Sequence, residues 1–100
     1  MIFILPAYVK YIETAERHTV IHTEDSDIVS QRQMKEHEIR LPGKAFVRCH
    51  TGYIVNLGYF QSMEGNEIRL LTGERIPVSR KRKAEVSEKI MDFLEGGGLE

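Results

Sequence analysis

Residues 46–57 read FVRCHTGYIVNL, and this stretch decides the fold because it has the pattern of a complete β-hairpin. Its two halves, residues 46–50 and 53–57, are rich in the β-branched and aromatic side chains that favour strands. The Thr51-Gly52 pair between them has the length of a tight hairpin turn, in which a glycine is available for a positive φ. We therefore predict two antiparallel strands joined at this pair.

Strand patterns continue on both sides of the hairpin. Short stretches of alternating polarity are separated by a polar loop at residues 14–17 and by turns that contain glycine. The opening MIFIL, residues 1–5, is also interpreted as a strand, because it is too short for the apolar region of a signal peptide. We predict five further strands at residues 7–13, 18–23, 60–63, 67–71 and 75–78.

Two stretches repeat their apolar side chains with the period of a helix. One helix is predicted near residues 31–41 and ends at Pro42-Gly43; the other is predicted near residues 80–94, with Ser79 as its N-cap. The predicted fold class is therefore mainly β, with small antiparallel sheets built from hairpins, one short inserted helix and one C-terminal helix.

Length and composition limit the class of protein. The chain has 100 residues, of which 41% are hydrophobic and 29% charged, as expected for one small soluble domain. We assign this domain to residues 1–95 and expect residues 96–100 to be a glycine-rich tail, in part left from an expression vector.

No apolar run approaches the ~18 residues of a membrane span. A single cysteine, Cys49, suits a reducing compartment, so we expect a cytoplasmic protein without membrane contacts.

Motifs for catalysis and metal binding are missing from the sequence. Cys49 and His50 are adjacent on a predicted strand and point to opposite faces, so they cannot form a nucleophile–base pair. His18 and His22 would lie roughly 13 Å apart on one strand, too far to share a metal ion. We expect no enzymatic activity, no cofactor and no metal site. Cys49 is interpreted as a buried core thiol, with redox or metal sensing as the alternative.

The charge is divided between segments of opposite sign, although the formal net charge is only −1. Residues 28–63 and 79–91 each carry a net +3, whereas residues 1–27 carry a net −3. The second positive segment contains four consecutive cations, residues 80–83, at the start of a predicted helix, where the helix dipole disfavours them. An anionic partner explains these cations, because helix N-termini bind phosphate; a solvated cationic surface is the alternative.

Residues 46–57 resemble the F-x-R-x-H-R-S-Y-I-V-N-L run that is the hallmark of the LytTR family, the output domain of many bacterial response regulators. Three further landmarks of that family occur in the same order: residues 11–13 (Y-I-E), the predicted helix that ends in Leu41-Pro42, and residues 76–80 (I-P-V-S-R). The resemblance extends over residues 7–94. Helix-turn-helix proteins are excluded independently, because about forty residues with strand patterns separate the two predicted helices.

The resemblance implies sequence-specific binding of double-stranded DNA through loops. Carried onto this sequence, the family's base contacts are His18, Thr51 and Arg80. Family targets are paired imperfect direct repeats in promoters, bound by two copies, and many members carry an N-terminal phospho-receiver domain. We therefore expect promoter DNA, a second copy of the chain on that DNA and a receiver domain in the full-length protein as partners.

Cations near these positions are candidates for phosphate contacts. For Arg48 in mid-strand, the alternative is a structural ion pair. Where the family commonly has Arg-Ser, this chain has Thr51-Gly52, so the turn either reads a different base or contributes less. The alternative function is a protein-interaction or dimerisation module that reads no sequence. The candidate phosphate contacts are Arg17, Lys44, Arg48, Lys81, Arg82 and Lys83.

Overall fold

The 46–57 hairpin lies at one side of a five-stranded antiparallel sheet. In this computed structural model, which describes residues 4–97, a second sheet of three antiparallel strands packs beside the first. The strand orders are β3-β2-β1-β5-β4 and β6-β7-β8, so the mainly β prediction is confirmed. The strands are β1 (Val9–Ala15), β2 (His18–Thr23), β3 (Asp27–Ser30), β4 (Phe46–His50), β5 (Tyr53–Asn56), β6 (Phe60–Glu64), β7 (Glu67–Leu70) and β8 (Arg75–Pro77).

Both predicted helices are present, with later starts than expected. The inserted helix α1 spans Met34–Arg40 and ends there because Leu41, which precedes a proline, takes an extended conformation. The C-terminal helix α2 spans Lys83–Asp92 and follows a 3-10 turn at Arg80–Arg82.

Ser79 directly precedes the 3-10 turn, at the predicted N-cap position, but its side chain makes no capping hydrogen bond. Its hydroxyl oxygen is buried without a hydrogen-bond partner among residues 4–97. The backbone N–H of Ser79 instead donates to the carbonyl oxygen of Cys49 at 2.9 Å. The start of the last helix is therefore attached to β4 through the main chain.

The N-terminal hairpin differs from the prediction in the bounds of its first strand and in the presence of a third strand. Pro6 begins a 3-10 turn that ends at Tyr8, so β1 starts later than expected and runs to Ala15. The turn to β2 is consequently only Glu16-Arg17. β3 was not predicted, because its four residues are too few to produce a clear alternation. Residues 1–3 of the predicted opening strand and residues 98–100 of the tail lie outside the described residues.

The five-stranded sheet packs against other elements on both of its faces. On one face, Ile12, Phe46 and Ile54 pack with Met34 of α1. The opposite face packs against the three-stranded sheet and α2, through a larger cluster of buried side chains. This two-sided burial explains why β5 has a nearly continuous apolar sequence. That larger cluster consists of Val47, Cys49, Val55, Leu57, Ile68, Leu70, Ile76, Val78, Val86, Ile90 and Phe93.

Gly52 does not have the positive φ that the two-residue turn predicts; the glycines with positive φ in the described part of the chain are Gly65, Gly73 and Gly96. The pairing of β4 with β5 shifts register between Arg48 and His50. Such a bulge adds local twist, which lets the chain reverse without a left-handed glycine.

We expect Gly52→Ala to raise the free energy of unfolding by about 0.4–1 kcal/mol, because alanine reduces the entropy of the unfolded chain. An added Cβ would lie 3.7 Å from His50 Nδ1 and 3.8 Å from Thr14 Cβ, which are ordinary contacts. Urea denaturation measures the change. The control is Gly73→Ala, which should destabilise because φ is +100° at that position. Equal destabilisation by both substitutions would contradict this geometry of the turn.

Candidate nucleic-acid interface

Two hairpin turns lie side by side at one end of the five-stranded sheet, which we call the hairpin end. These turns are Glu16-Arg17 and Thr51-Gly52, and they meet because β1 pairs with β5. The backbone N–H of Thr14 donates to the carbonyl oxygen of Gly52 at 2.9 Å, which joins the two hairpins directly. The structure therefore brings together His18 and Thr51, which are 33 residues apart in the sequence.

The segment that leads into α1 also reaches the hairpin end. β3 pairs with β2, and its last residue Ser30 lies opposite Thr19, next to the β1–β2 turn. Two cations that the sequence analysis missed, Arg32 and Lys35, follow there. Only the position of the unpredicted β3 could have located them. A shallow depression of about 370 Å³ is lined by residues that include Arg17, His18, Arg32, Lys35, Arg48 and Thr51.

The start of the last helix points to the same end of the sheet. Ser79 is bonded to Cys49 near the end of β4, whereas Lys89 Nζ donates to the carbonyl oxygen of Phe46 at 3.2 Å, at its beginning. The helix therefore runs antiparallel to β4, and its N-terminus lies at the hairpin end. In the run Arg80–Lys83, Arg82 is half-buried and the other three side chains are exposed.

Lys44 is not brought together with the other predicted residues. It precedes β4 and lines a separate depression with Lys89 and Phe93, near the end of α2. The length of β4 separates it from Thr51, which corresponds to about 17 Å. Lys44 therefore lies at the opposite end of the sheet.

The charges are also separated along the strands. The exposed acidic pair Glu24-Asp25 belongs to the β2–β3 turn, which lies at the end of the sheet opposite the hairpin end. At the hairpin end, the acidic Glu16 stands beside Arg17 and has a φ of 49°, an uncommon conformation for a residue with a side chain. The cations of this end therefore outnumber its acids, and the surface favours an anionic partner.

A buried histidine connects α1 to β2 behind this surface. His37 Nε2 lies 2.8 Å from Thr19 Oγ1, and that hydroxyl donates to the carbonyl oxygen of Arg32 at 2.9 Å. The ring therefore donates through Nε2 to the hydroxyl oxygen. Burial lowers the pKa of His37 below its usual value, and the charge of Arg32 lowers it further. The ring therefore stays neutral at neutral pH, as a buried histidine at an apolar helix position should.

This shift predicts that acid destabilises the fold through His37. Below about pH 6.5 the unfolded chain protonates this ring while the folded protein resists protonation, so stability falls as the pH falls. We expect the melting temperature to drop more for the wild type than for His37→Gln between about pH 7.5 and about pH 5. Thermal unfolding followed by circular dichroism measures both. Equal drops for the two proteins would contradict the assignment.

The Cys49 thiol has no exposed surface, and burial raises its pKa to about 12. His50 does not activate it, since His50 Nδ1 accepts a hydrogen bond from the backbone N–H of Gly52 at 3.0 Å. A protonated, inaccessible thiol is a poor nucleophile and a poor redox sensor. These observations favour the interpretation of Cys49 as a core residue.

The Asn56 side chain forms hydrogen bonds with the backbone. Its Oδ1 accepts from the N–H of Gly58 at 2.8 Å, and its Nδ2 donates to the carbonyl oxygen of Val9 at 2.8 Å. The side chain is buried and therefore fixes the exit of β5 against the start of β1.

Within residues 4–97, no helix combines the length and the apolar character needed to cross a lipid bilayer.

Comparison with known proteins gives one family and one fold. The family model described as "LytTr DNA-binding domain" matches residues 1–91. A solved structure described as the "LytTr DNA-binding domain of putative methyl-accepting/DNA response regulator from Bacillus cereus" is similar, with a TM-score of 0.83 and 24% sequence identity. The match covers 87% of this chain and 84% of that one. No curated protein matches this chain.

Proposed function

Because this chain belongs to the LytTr DNA-binding domain family, we propose that it reads specific promoter sequences as the output half of a bacterial response regulator. The chain is a DNA-binding domain by family membership; the sequence reading and its residues are the proposal. One observation carries it: the two hairpin turns and the start of the last helix lie at one cationic end of the sheet.

Base reading is assigned to His18, Thr51 and Arg80. Thr51 and Arg80 are exposed and His18 is half-exposed. Thr51 lies in the β4–β5 turn, Arg80 begins the 3-10 turn before α2, and His18 begins β2 directly after the β1–β2 turn. An arginine recognises guanine through two parallel hydrogen bonds, whereas threonine offers a hydroxyl group and a methyl group that can contact thymine. With threonine in place of the family's arginine, the β4–β5 turn should therefore prefer a base other than guanine.

Phosphate contacts are assigned to the cations around these readers. Charges at the hairpin end fix the position of the domain on the duplex without selecting a sequence. Lys44 would reach only DNA that extends past the opposite end of the sheet, so it is the weakest member of the predicted set. The proposed contacts from this end are Arg17, Arg32, Lys35, Lys81, Arg82 and Lys83.

We propose paired direct repeats as the target, as the family resemblance implies. A single hairpin end covers a short site, so two copies in the same orientation would occupy successive repeats on one face of the duplex, about one helical turn apart. In the proposed regulator, a phospho-receiver domain would control how readily the second copy binds. This arrangement supplies affinity that a domain with a net charge of −1 would otherwise lack.

Selection from a random duplex library tests the proposal with the chain as it stands. We expect enrichment of one short motif, and a duplex with two spaced copies of it should bind more tightly than a duplex with one. Fluorescence anisotropy at several salt concentrations then gives the affinities for selected and random DNA. If no motif is enriched at ~100 mM salt, the chain is the protein-interaction or dimerisation module considered above.

A further inference from the structure

The β4–β5 turn is held by three hydrogen bonds from outside the turn itself. The carbonyl oxygen of Thr51 accepts from Arg48 Nη2 at 2.8 Å. The carbonyl oxygen of Gly52 accepts from the N–H of Thr14 at 2.9 Å, and the N–H of Gly52 donates to His50 Nδ1 at 3.0 Å. These bonds fix the backbone while the Thr51 side chain remains exposed.

Arg48 contributes to this clamp from a half-buried position. Only 17% of its side chain is exposed, and Nη1 donates to Glu38 Oε1 of α1 at 3.3 Å. Its Nε is buried without a hydrogen-bond partner in the described part of the chain. A guanidinium that already bonds a turn and a helix is poorly placed to contact phosphate, unlike the exposed cations Arg17 and Lys83.

The adjacent residue of α1 makes the corresponding connection to the start of β2, which follows the β1–β2 turn. His37 bonds Thr19, which directly follows His18, at 2.8 Å. Two consecutive residues of one short helix therefore make these connections: His37 to the start of β2, and Glu38 through Arg48 to the Thr51 turn. This arrangement fixes the distance between the proposed base readers.

We propose that Glu38 and Arg48 are positioning residues, which hold the β4–β5 turn in the position that lets Thr51 contact a base. Arg48 is on this account not a phosphate contact. The inference rests on the proposed function, because it needs Thr51 to read a base. The inference also explains why an acidic residue lies there. Glu38 is exposed beside the proposed DNA-binding surface, where its negative charge should otherwise weaken binding.

Glu38→Gln is the decisive substitution, because positioning predicts a loss of specificity, whereas simple electrostatics predicts tighter binding to every duplex with specificity unchanged. Loss of a negative charge should strengthen binding to every duplex. The matched control Glu36→Gln on the same helix also frees Arg32, a proposed phosphate contact 3.7 Å away, and should therefore strengthen binding to selected and random duplexes alike. Glu38→Gln should instead reduce the ratio of selected to random affinity by roughly 3- to 10-fold, because it loosens the Arg48 clamp. Anisotropy titrations against the selected duplex and a random duplex measure this ratio.

A double variant distinguishes positioning from a general loss of structure. In a Thr51→Ala background, the side chain that the clamp positions against a base is gone. Glu38→Gln should therefore no longer change the ratio of selected to random affinity. Arg48→Lys, which keeps the charge and the aliphatic stem but loses the planar fork, should also lower the ratio while the salt dependence stays unchanged. A smaller salt slope for Arg48→Ala would restore its role as a phosphate contact and overturn the inference.

The outcomes separate the two proposals. A wild-type domain that does not discriminate between the duplexes overturns the proposed function, and the inference with it. If the wild type discriminates and Glu38→Gln leaves the ratio intact, only the inference is overturned. A further fall in the ratio when Glu38→Gln is added to Thr51→Ala also overturns it, because the effect would then not pass through Thr51.

Discussion

Arg80→Ala is expected to weaken binding to the selected duplex by about 1–3 kcal/mol and to relax the preference at a single base pair. Arg80 is exposed and begins the 3-10 turn before α2, and the bond from Ser79 to Cys49 anchors that turn to β4. A side chain on such an anchored turn can present its planar fork to guanine in a defined direction. Anisotropy with a set of duplexes, each carrying one altered base pair, measures both effects.

Lys83→Ala is the matched control for this prediction. Lys83 is also exposed and lies three residues further along the same helix start, but it is assigned to phosphate. Its loss should weaken binding to selected and random duplexes alike and lower the salt slope by about one unit. Equal losses on selected and random DNA for both variants would show that the assigned roles are wrong.

The strands could be predicted where sequence pattern and turn chemistry agree. The 46–57 hairpin combines β-branched residues with a two-residue turn, and β4 has the predicted bounds. β3 was missed because its four residues carry too little pattern, and its stability comes from pairing with β2. The φ of Gly52 differs from the prediction for a related reason. The bulge at Arg48 and His50 changes the geometry of the turn, and a bulge has no sequence signal of its own.

The candidate site could be predicted only in part, because sequence locates residues on elements and not elements in space. His18 and Thr51 were assigned through the family resemblance, and the pairing of β1 with β5 brings them together. Arg32 and Lys35 join them only because β3 carries the chain back to the same end of the sheet. Lys44 fails to join them, because β4 separates it from the turn.

The net charge of −1 conceals the feature that matters for binding. In the fold, the acidic pair Glu24-Asp25 occupies the end of the sheet opposite the cationic hairpin end. Approach to DNA from the cationic end is favourable, and approach from the acidic end is not. The low net charge should therefore limit non-specific affinity but still orient the domain on the duplex.

Ile54→Ala is expected to lower the free energy of unfolding by about 2–5 kcal/mol, because it opens a cavity between the five-stranded sheet and α1. Ile54 is 1% exposed and packs with Ile12, Phe46 and Met34. Domains of this size are stabilised by only about 5–15 kcal/mol, so the variant should unfold at a much lower urea concentration. Urea denaturation followed by circular dichroism measures the change.

Ile39→Ala removes the same atoms from a different environment and serves as the control. Ile39 lies on α1 but is 74% exposed, so its truncation should change stability by less than about 0.5 kcal/mol. Both substitutions convert isoleucine to alanine, so a difference between their stability losses reflects the burial of the two side chains. Similar losses for the two variants would mean that α1 does not pack on this face of the sheet. The contacts of His37 with Thr19 and of Glu38 with Arg48 would then not be held in place by the packing of α1.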